Sequence, residues 1–400
     1  MTGGTPIAAP WRVPLSDVRL PERAIAAAGE VLASGWLSSG PRVSAFESDV
    51  AAYVGTRHAV ACSSGTAALE LAYAALDIGA GDEVVMPSLT FVAGANAACL
   101  RGARPVFADV IGADDLTVDP DSLARCIGPR TKAVVLMHYG GYPCRPEAVA
   151  AARERGVAVI EDAAHALGAA GAPGSCGTWG DVACFSFFAN KNLPLGEGGV
   201  LTTDDAEIAE TALRLRSHGM TSVTWERHTG QASAYDVPRP GFNMRLGEVP
   251  AAMGSAMLPE LDRWNQRRGE LTARYRSLLA DVEGATMPFA ARPAEERPAF
   301  HIAPLVLGEG VDRAHAAQSL RERRIQTSVH YPPTHSLSAH AGARSDVERT
   351  DALASRLLTL PLYPHLEPTQ VDEVVDALSA GLGGDGRAEP RPAARASLRP

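Results

Sequence analysis

From residue 57 to residue 203 the chain alternates short, β-rich apolar runs with longer alanine-rich stretches of helical period. The apolar runs are Ala59–Cys62, Glu83–Met86, Pro105–Ala108, Ala133–His138, Val157–Ile160, Val182–Phe187 and Val200–Thr202. Between most of them lie segments such as Thr66–Leu76, Phe91–Leu100 and Arg145–Arg155. Strands that are apolar throughout need cover on both faces, and parallel strands separated by helices join through right-handed crossovers. The pattern therefore predicts an α/β fold, a mainly parallel, seven-stranded sheet with helices on both faces. Ligands in such sheets collect beyond the carboxyl ends of the strands. The residues that follow each run are thus the place to look for chemistry.

The rhythm breaks at 219–241, a polar, turn-rich stretch that is long for a plain connector; loops of this size usually carry function or move. A helical pattern then runs from Leu246 to about Ala280, interrupted near Pro259. Beyond it, the segments Ala299–Leu307 and Ser328–His330, with helical patterns over Arg313–Arg323 and Thr369–Leu382, predict a smaller C-terminal α+β domain. The expected boundaries are an N-terminal extension at 1–15, a large domain at 16–265 and a small domain at 266–382. The tail 383–400, rich in glycine, proline, alanine and arginine, is expected to be disordered. There is no internal repeat.

Composition narrows the function. A chain of 400 residues with 46% hydrophobic positions has ample material for a core. Its net charge of −9 and lack of a basic face argue against nucleic acid, and Arg321-Glu-Arg-Arg324 reads as a solvated helix surface. No apolar run approaches the roughly 18–20 residues of a membrane span, and no signal-like N-terminus is visible, so no membrane partner is expected. The cysteines at 62, 99, 126, 144, 176 and 184 form no Cys-x-x-Cys pair. They read as buried free thiols of a reducing, cytoplasmic setting rather than a disulfide frame, and no metal site is expected.

Of the 37 basic residues only two, Lys132 and Lys191, are lysine. A guanidinium stays protonated, whereas a lysine can lose its proton and act as a nucleophile. Lys132 leads polar residues into an apolar strand. Lys191 lies in the aromatic and glycine-rich run Cys184–Gly199, where it reads either as an ordinary surface lysine or as the amine of a Schiff base to an aldehyde cofactor. In that run Gly196-Glu-Gly-Gly199 is expected to bring the backbone back close to the lysine. Ser63-Ser-Gly-Thr66 follows the first strand and opens a helix. Its free N–H groups and the hydroxyls of Ser64 and Thr66 suit a phosphate, although ordinary helix capping would use the same residues. Asp162, after the strand Val157–Ile160 and flanked by alanines, needs a cationic partner such as a pyridinium nitrogen, or else caps a helix. His165 could hydrogen-bond a ring oxygen or fill the core.

These motifs come together with Ser34–Glu47, Pro87–Ala93, Phe185–Phe188, Arg216–Gly219, Gly241–Arg245, His330-Tyr-Pro332 and Leu360-Pro-Leu362. As a set they resemble the DegT/StrS-type, pyridoxal-phosphate-dependent sugar aminotransferases of aspartate-aminotransferase fold type I, over roughly residues 12–380. The resemblance implies that Lys191 forms the Schiff base with pyridoxal 5′-phosphate and later shuttles a proton. It implies that Asp162 pairs with the pyridine nitrogen, His165 lies near the phenolic oxygen and Phe91 stacks on the ring. Ser64, Gly65, Thr66 and Ser186 would hold the phosphate, and Asn243 would reach the phosphate of the neighbouring subunit in a homodimer with shared sites. His165 stands where many members have glutamine, and Ala189-Asn190 where proline or histidine is common. Lysine at 191, where the family's dehydratases typically have histidine, favours amino transfer.

The implied reaction moves an amino group from L-glutamate to a nucleotide-linked keto-sugar. The leading substrate is dTDP-4-keto-6-deoxy-D-glucose, aminated at C4 in deoxyaminosugar biosynthesis for an antibiotic or a cell surface. Amination at C3 or of a cyclitol ketone, and a non-catalytic cofactor-binding regulator, are the alternatives. Trp225, Arg227, His228, Arg245, His330, Tyr331 and His335 are candidate substrate contacts because loop residues with donor groups suit a sugar diphosphate.

Overall fold

The computed structural model describes residues 11–222 and 224–383, so the expected tail beyond Gly383 and most of the expected N-terminal extension lie outside the described residues. Seven strands form the main sheet: β1 His58–Cys62, β2 Glu83–Pro87, β3 Arg104–Ala108, β4 Thr131–Met137, β5 Ala158–Asp162, β6 Val182–Ser186 and β7 Gly199–Thr203. Their spatial order is β1-β7-β6-β5-β4-β2-β3. The pairs β2–β3, β2–β4, β4–β5 and β5–β6 are parallel, whereas β7 runs antiparallel to both β6 and β1. Each strand matches one of the apolar runs to within two residues. Continuous apolar character is a local signal, and burial on both faces is its cause.

Side-chain alternation along the strands feeds two cores. Val85, Val134, Leu136, Val159, Ala183, Phe185 and Val200 point to one face, where the helices Pro41–Val54 and Glu248–Met257 contribute Phe46 and Ala251. Val84, Met86, Val135, Ile160, Val182 and Leu201 point to the other, where the helix Gly65–Ala75 contributes Leu71 and Tyr73. At the carboxyl edge of β5 this alternation sends Glu161 to the first face and Asp162 to the second.

The expected long helix is present as Glu248–Met257, a single 3-10 turn at Leu258–Glu260 and Leu261–Leu279, so the break falls where Pro259 removes a backbone donor. The C-terminal part carries a three-stranded antiparallel sheet, Ala285–Thr286, Ala303–Leu307 and Leu357–Leu360, packed under the helices Arg313–Glu322 and Pro368–Gly383. Several elements were not expected. Among them the hairpin Val110–Gly112 with Asp115–Val118 is too short for a period to register, and of Leu357–Leu360 only Leu360 was read, within the motif Leu360-Pro-Leu362. Ser328 joins Thr359 in a lone bridge rather than starting a strand. Within 219–241 the residues Thr224–His228 form a short helix. All six cysteines are free, and five are buried as expected; Cys99 is exposed. Among the described residues no helix is long and apolar enough to cross a membrane, and no cluster of potential metal ligands occurs.

Candidate active site

Strand β1 delivers Ser64 in an extended conformation, and its hydroxyl oxygen accepts the N–H of Ala67 at 3.1 Å, capping the helix Gly65–Ala75. The capping reading is therefore correct for Ser64, and it is compatible with a phosphate role. Gly65 and Thr66, at the first two helical positions, have no carbonyl within the helix to receive their N–H groups. Two neighbouring strands close around this turn. A Cβ on Gly65 would stand 2.8 Å from Ser186 Cβ, and one on Gly199 would stand 2.2 Å from Ser64 O and 2.7 Å from Gly65 N. Gly199 sits between Cys62 and Ser186 in the sheet, so neither strand can retreat. Its absent side chain clears the helix-opening turn, while Gly196 brings the backbone back to the lysine turn as expected, bridging Phe188, whose carbonyl accepts the Lys191 N–H. Gly199→Ala should displace that turn and cost about 1–3 kcal/mol of stability. Thermal melting together with a pyridoxal phosphate titration checks this, and wild-type values in both would show that the clearance is not needed.

At the carboxyl end of β5, Glu161 and Asp162 have opposite fates. Glu161 is fully buried and accepts the N–H groups of Gly177 (2.7 Å), Trp179 (2.7 Å) and Gly180 (2.9 Å). His138 Nε2 lies 2.9 Å from Oε2, the oxygen that also accepts Gly177; since Nδ1 of that ring accepts the N–H of Cys144 at 3.0 Å, Nε2 carries the proton and donates to Glu161. Four donors make a buried carboxylate tolerable. Asp162 is also buried but, among the described residues, receives only the Ala164 N–H, at 3.1 Å, and burial raises its pKa. No helix follows it, which removes the helix-cap reading. Among the described residues it forms no ion pair, although the field of Lys191 reaches it.

Lys191 sits on the turn after β6, its N–H donating to Phe188 O at 2.8 Å. Burial lowers the ammonium pKa to about 8, against the opposing field of Asp162. Roughly a tenth is thus free amine at pH 7, far more than for an unperturbed lysine, and the free amine is the form a nucleophile requires. Its Nζ lies 3.5 Å from Nε2 of His301. Ser64, Gly65, Thr66, Phe91, Asp162, His165, Ser186, Lys191, His330 and Tyr331 all line one cavity of about 310 Å³. His165 takes the Gly140 N–H on Nδ1 (3.3 Å), so its Nε2–H donates to Tyr331 Oη (2.9 Å); burial drives its pKa well down and keeps the ring neutral. Phe91 stands at the mouth, 51% exposed and 5.7 Å from the Tyr331 ring, an apolar face without cover.

The residues fit a phosphorylated pyridine aldehyde. The carboxylate lacking an ion pair matches a protonated ring nitrogen, the depressed amine matches an aldehyde, and the open helix N-terminus matches a phosphate. Larger grooves occur near Arg19 and Trp264 (about 810 Å³) and beside Trp36 (about 570 Å³), but neither places a buried carboxylate against an amine.

Of the seven expected substrate contacts, only His330 and Tyr331 line this cavity. Trp225 and His228 instead pack on Trp36, with ring centroids 4.9 and 4.7 Å away. Arg227 lies over Tyr235 and donates to Ser222 O at 2.6 Å. Arg245 donates to Ser217 Oγ at 3.1 Å. His335 bridges Ser88 Oγ (2.7 Å) and Asp351 (3.1 Å), a structural clamp that occupies both ring nitrogens. Asn243 is exposed and bridges Ser217, away from the cavity of its own chain. The sequence reading missed His301, which it treated as part of the apolar run Ala299–Leu307, and the His138–Glu161 pair. A histidine inside an apolar run was the available signal for His301; nothing local pointed to the pair.

The model of the DegT/DnrJ/EryC1/StrS aminotransferase family matches residues 19–379. The chain is 42% identical over 359 residues to the spore coat polysaccharide biosynthesis protein SpsC of Bacillus subtilis strain 168, covering 87% of this chain and 92% of that one. It superposes on the aminotransferase TlmJ of Streptoalloteichus hindustanus with a TM-score of 0.86 and 37% identity, over 92% of this chain and 98% of that one. It also superposes on DesI, solved in the presence of its TDP-sugar product, with a TM-score of 0.83 and 32% identity over 94% of each chain. With its seven-stranded fold type I sheet and its cavity of paired amine and carboxylate, the chain belongs to the DegT/DnrJ/EryC1/StrS aminotransferase family and is a pyridoxal-phosphate-dependent sugar aminotransferase.

Proposed function

We propose that the protein moves the amino group of L-glutamate to C4 of dTDP-4-keto-6-deoxy-D-glucose, serving deoxyaminosugar synthesis for an antibiotic or a cell surface in the cytoplasm. One observation carries the reading: a depressed amine and a buried carboxylate free of ion pairs face one cavity beside an open helix N-terminus. Bound pyridoxal phosphate supplies a carbonyl for the amine and a ring that accepts electron density from the substrate carbon. Lys191 is its covalent anchor. Freed from that bond, Lys191 Nζ would be the base that takes the proton from the substrate carbon bearing nitrogen, with little orientation left to fix.

Asp162 keeps the ring nitrogen protonated, and Ser64, Gly65, Thr66 and Ser186 receive the phosphate. Phe91 would cover one face of the ring, and His165, whose single N–H goes to Tyr331 Oη, would orient the Tyr331 hydroxyl toward the phenolic oxygen. The protein works as a homodimer. Asn243, Arg245 and the 219–241 segment lie outside their own chain's cavity, and a two-fold pair lets them complete the partner's site reciprocally. There Arg245 or a residue of that segment binds the sugar diphosphate, an anion that the net charge of −9 does not attract by itself. The TDP-sugar bound to DesI supports a thymidine diphosphate carrier.

Incubation with L-glutamate and a panel of keto-sugar nucleotides, with the product read by NMR, tests the reading. A 4-amino-4,6-dideoxy sugar on dTDP is the expected product. Amination at C3, or of a free cyclitol ketone alone, would replace the proposed substrate, and a cofactor spectrum unmoved by glutamate would remove the enzymatic reading.

A further inference from the structure

His301 is buried and faces Lys191 from the strand lead-in of the C-terminal sheet. Its tautomer can be read from its partners. Asn192 donates its amide hydrogens to Ala299 O and Asn265 Oδ1, both at 2.7 Å, and the backbone carbonyl admits no other orientation of the amide. Asn192 Oδ1 therefore points at His301 Nδ1, 2.8 Å away, and Nδ1 must carry the proton. That leaves Nε2 of His301 bare, at 3.5 Å from Lys191 Nζ. The ring does not compete by protonating, because burial among His165, Lys191, Arg268 and His330 pushes its pKa well down.

We infer that His301 is a positioning residue for Lys191: the Asn265–Asn192–His301 chain aims the lone pair of His301 Nε2 at Lys191, whose Nζ donates one hydrogen to it and keeps its remaining directions open to the cavity. The inference deepens the role assigned to Lys191 and rests on that reading. A neutral acceptor holds an ammonium more strongly than an amine, so His301 raises the proton affinity that burial lowers. The other titratable groups lining the amine's cavity are Asp162 at the end of β5, His165 in the turn after it, Glu197 from the turn before β7, and His330 and Tyr331 from the segment after the helix Arg313–Glu322. Arg268 comes from the helix Leu261–Leu279, and Asp17, Arg19 and His365 lie along the groove on its other side. All of these stay unchanged in the variants below.

The two-lysine composition makes the test clean. Full-length protein freed of cofactor is labelled with limiting acetic anhydride between pH 6 and 10.5. Peptide mass spectrometry then compares Lys191 with exposed Lys132 as internal reference, and circular dichroism of each variant checks that it is folded. The wild-type midpoint at Lys191 is expected near about 8. His301→Leu should lower it by about half a unit to one unit, a three- to tenfold loss of proton affinity. His301→Gln, whose amide oxygen can still accept, should keep it. Asn192→Ala should behave like His301→Leu although the histidine remains, because the ring can then turn its proton toward the amine. An unchanged or raised midpoint in His301→Leu, a full shift in His301→Gln or none in Asn192→Ala would overturn the inference. Because no substrate or cofactor enters this assay, these outcomes are separate from failure of cofactor uptake, which would instead strike the proposed function.

Discussion

Lys191→Ala is expected to reduce steady-state turnover by about 10⁴-fold or more, because one side chain serves as both anchor and proton carrier. The loss should fall on chemistry rather than on folding. Truncation removes an amine whose burial already disfavours its charged form, so the melting temperature should hold or rise. Borohydride treatment of wild-type protein followed by peptide mass spectrometry should place the reduced cofactor adduct at 191 and leave Lys132 unmodified; the variant should carry none. Wild-type turnover in Lys191→Ala, or an adduct on Lys132, would end the assignment. The turnover assay presumes the keto-sugar substrate proposed above, whereas the adduct assay does not.

Asp162→Asn should have the second largest effect. Asparagine keeps the shape of the side chain and can still accept the Ala164 N–H, so the substitution removes the charge and exchanges one acceptor oxygen for an NH2. Without that charge the ring nitrogen loses its counter-ion, and the developing negative charge on the substrate carbon loses its sink. The expected penalty is about 10²–10³-fold in turnover, typical of a removed electrostatic stabiliser in a site shielded from water. In the cofactor-free protein the sign reverses: a buried carboxylate without an ion pair is a liability, and the neutral amide should raise stability by about 1 kcal/mol. A variant that lost activity and also melted earlier would mean that Asp162 holds the fold rather than the ring.

The opposite signs of those two readouts depend on a division made at β5. Adjacent residues of a strand face opposite sides, so Glu161 meets four donors in the core and Asp162 meets the cavity almost bare. The sequence shows two neighbouring carboxylates after an apolar run. Only the packed neighbours decide which is solvated by the protein and which awaits a ligand.

Local patterns made the seven strands, the broken long helix and the positions of Ser64, Asp162, Ser186 and Lys191 at strand ends legible, since continuous apolarity and turn residues act over a few positions. The order of the strands was not legible, nor was the antiparallel seating of β7 between β1 and β6. Gly199 against Ser64, His301 against Lys191 and His335 against Ser88 are contacts across more than a hundred residues. No local period encodes such pairs, and the donors that a polar residue finally meets are set by which segments the core brings together. That is why a loop histidine expected at the substrate became a clamp, while one hidden in an apolar run came to face the amine.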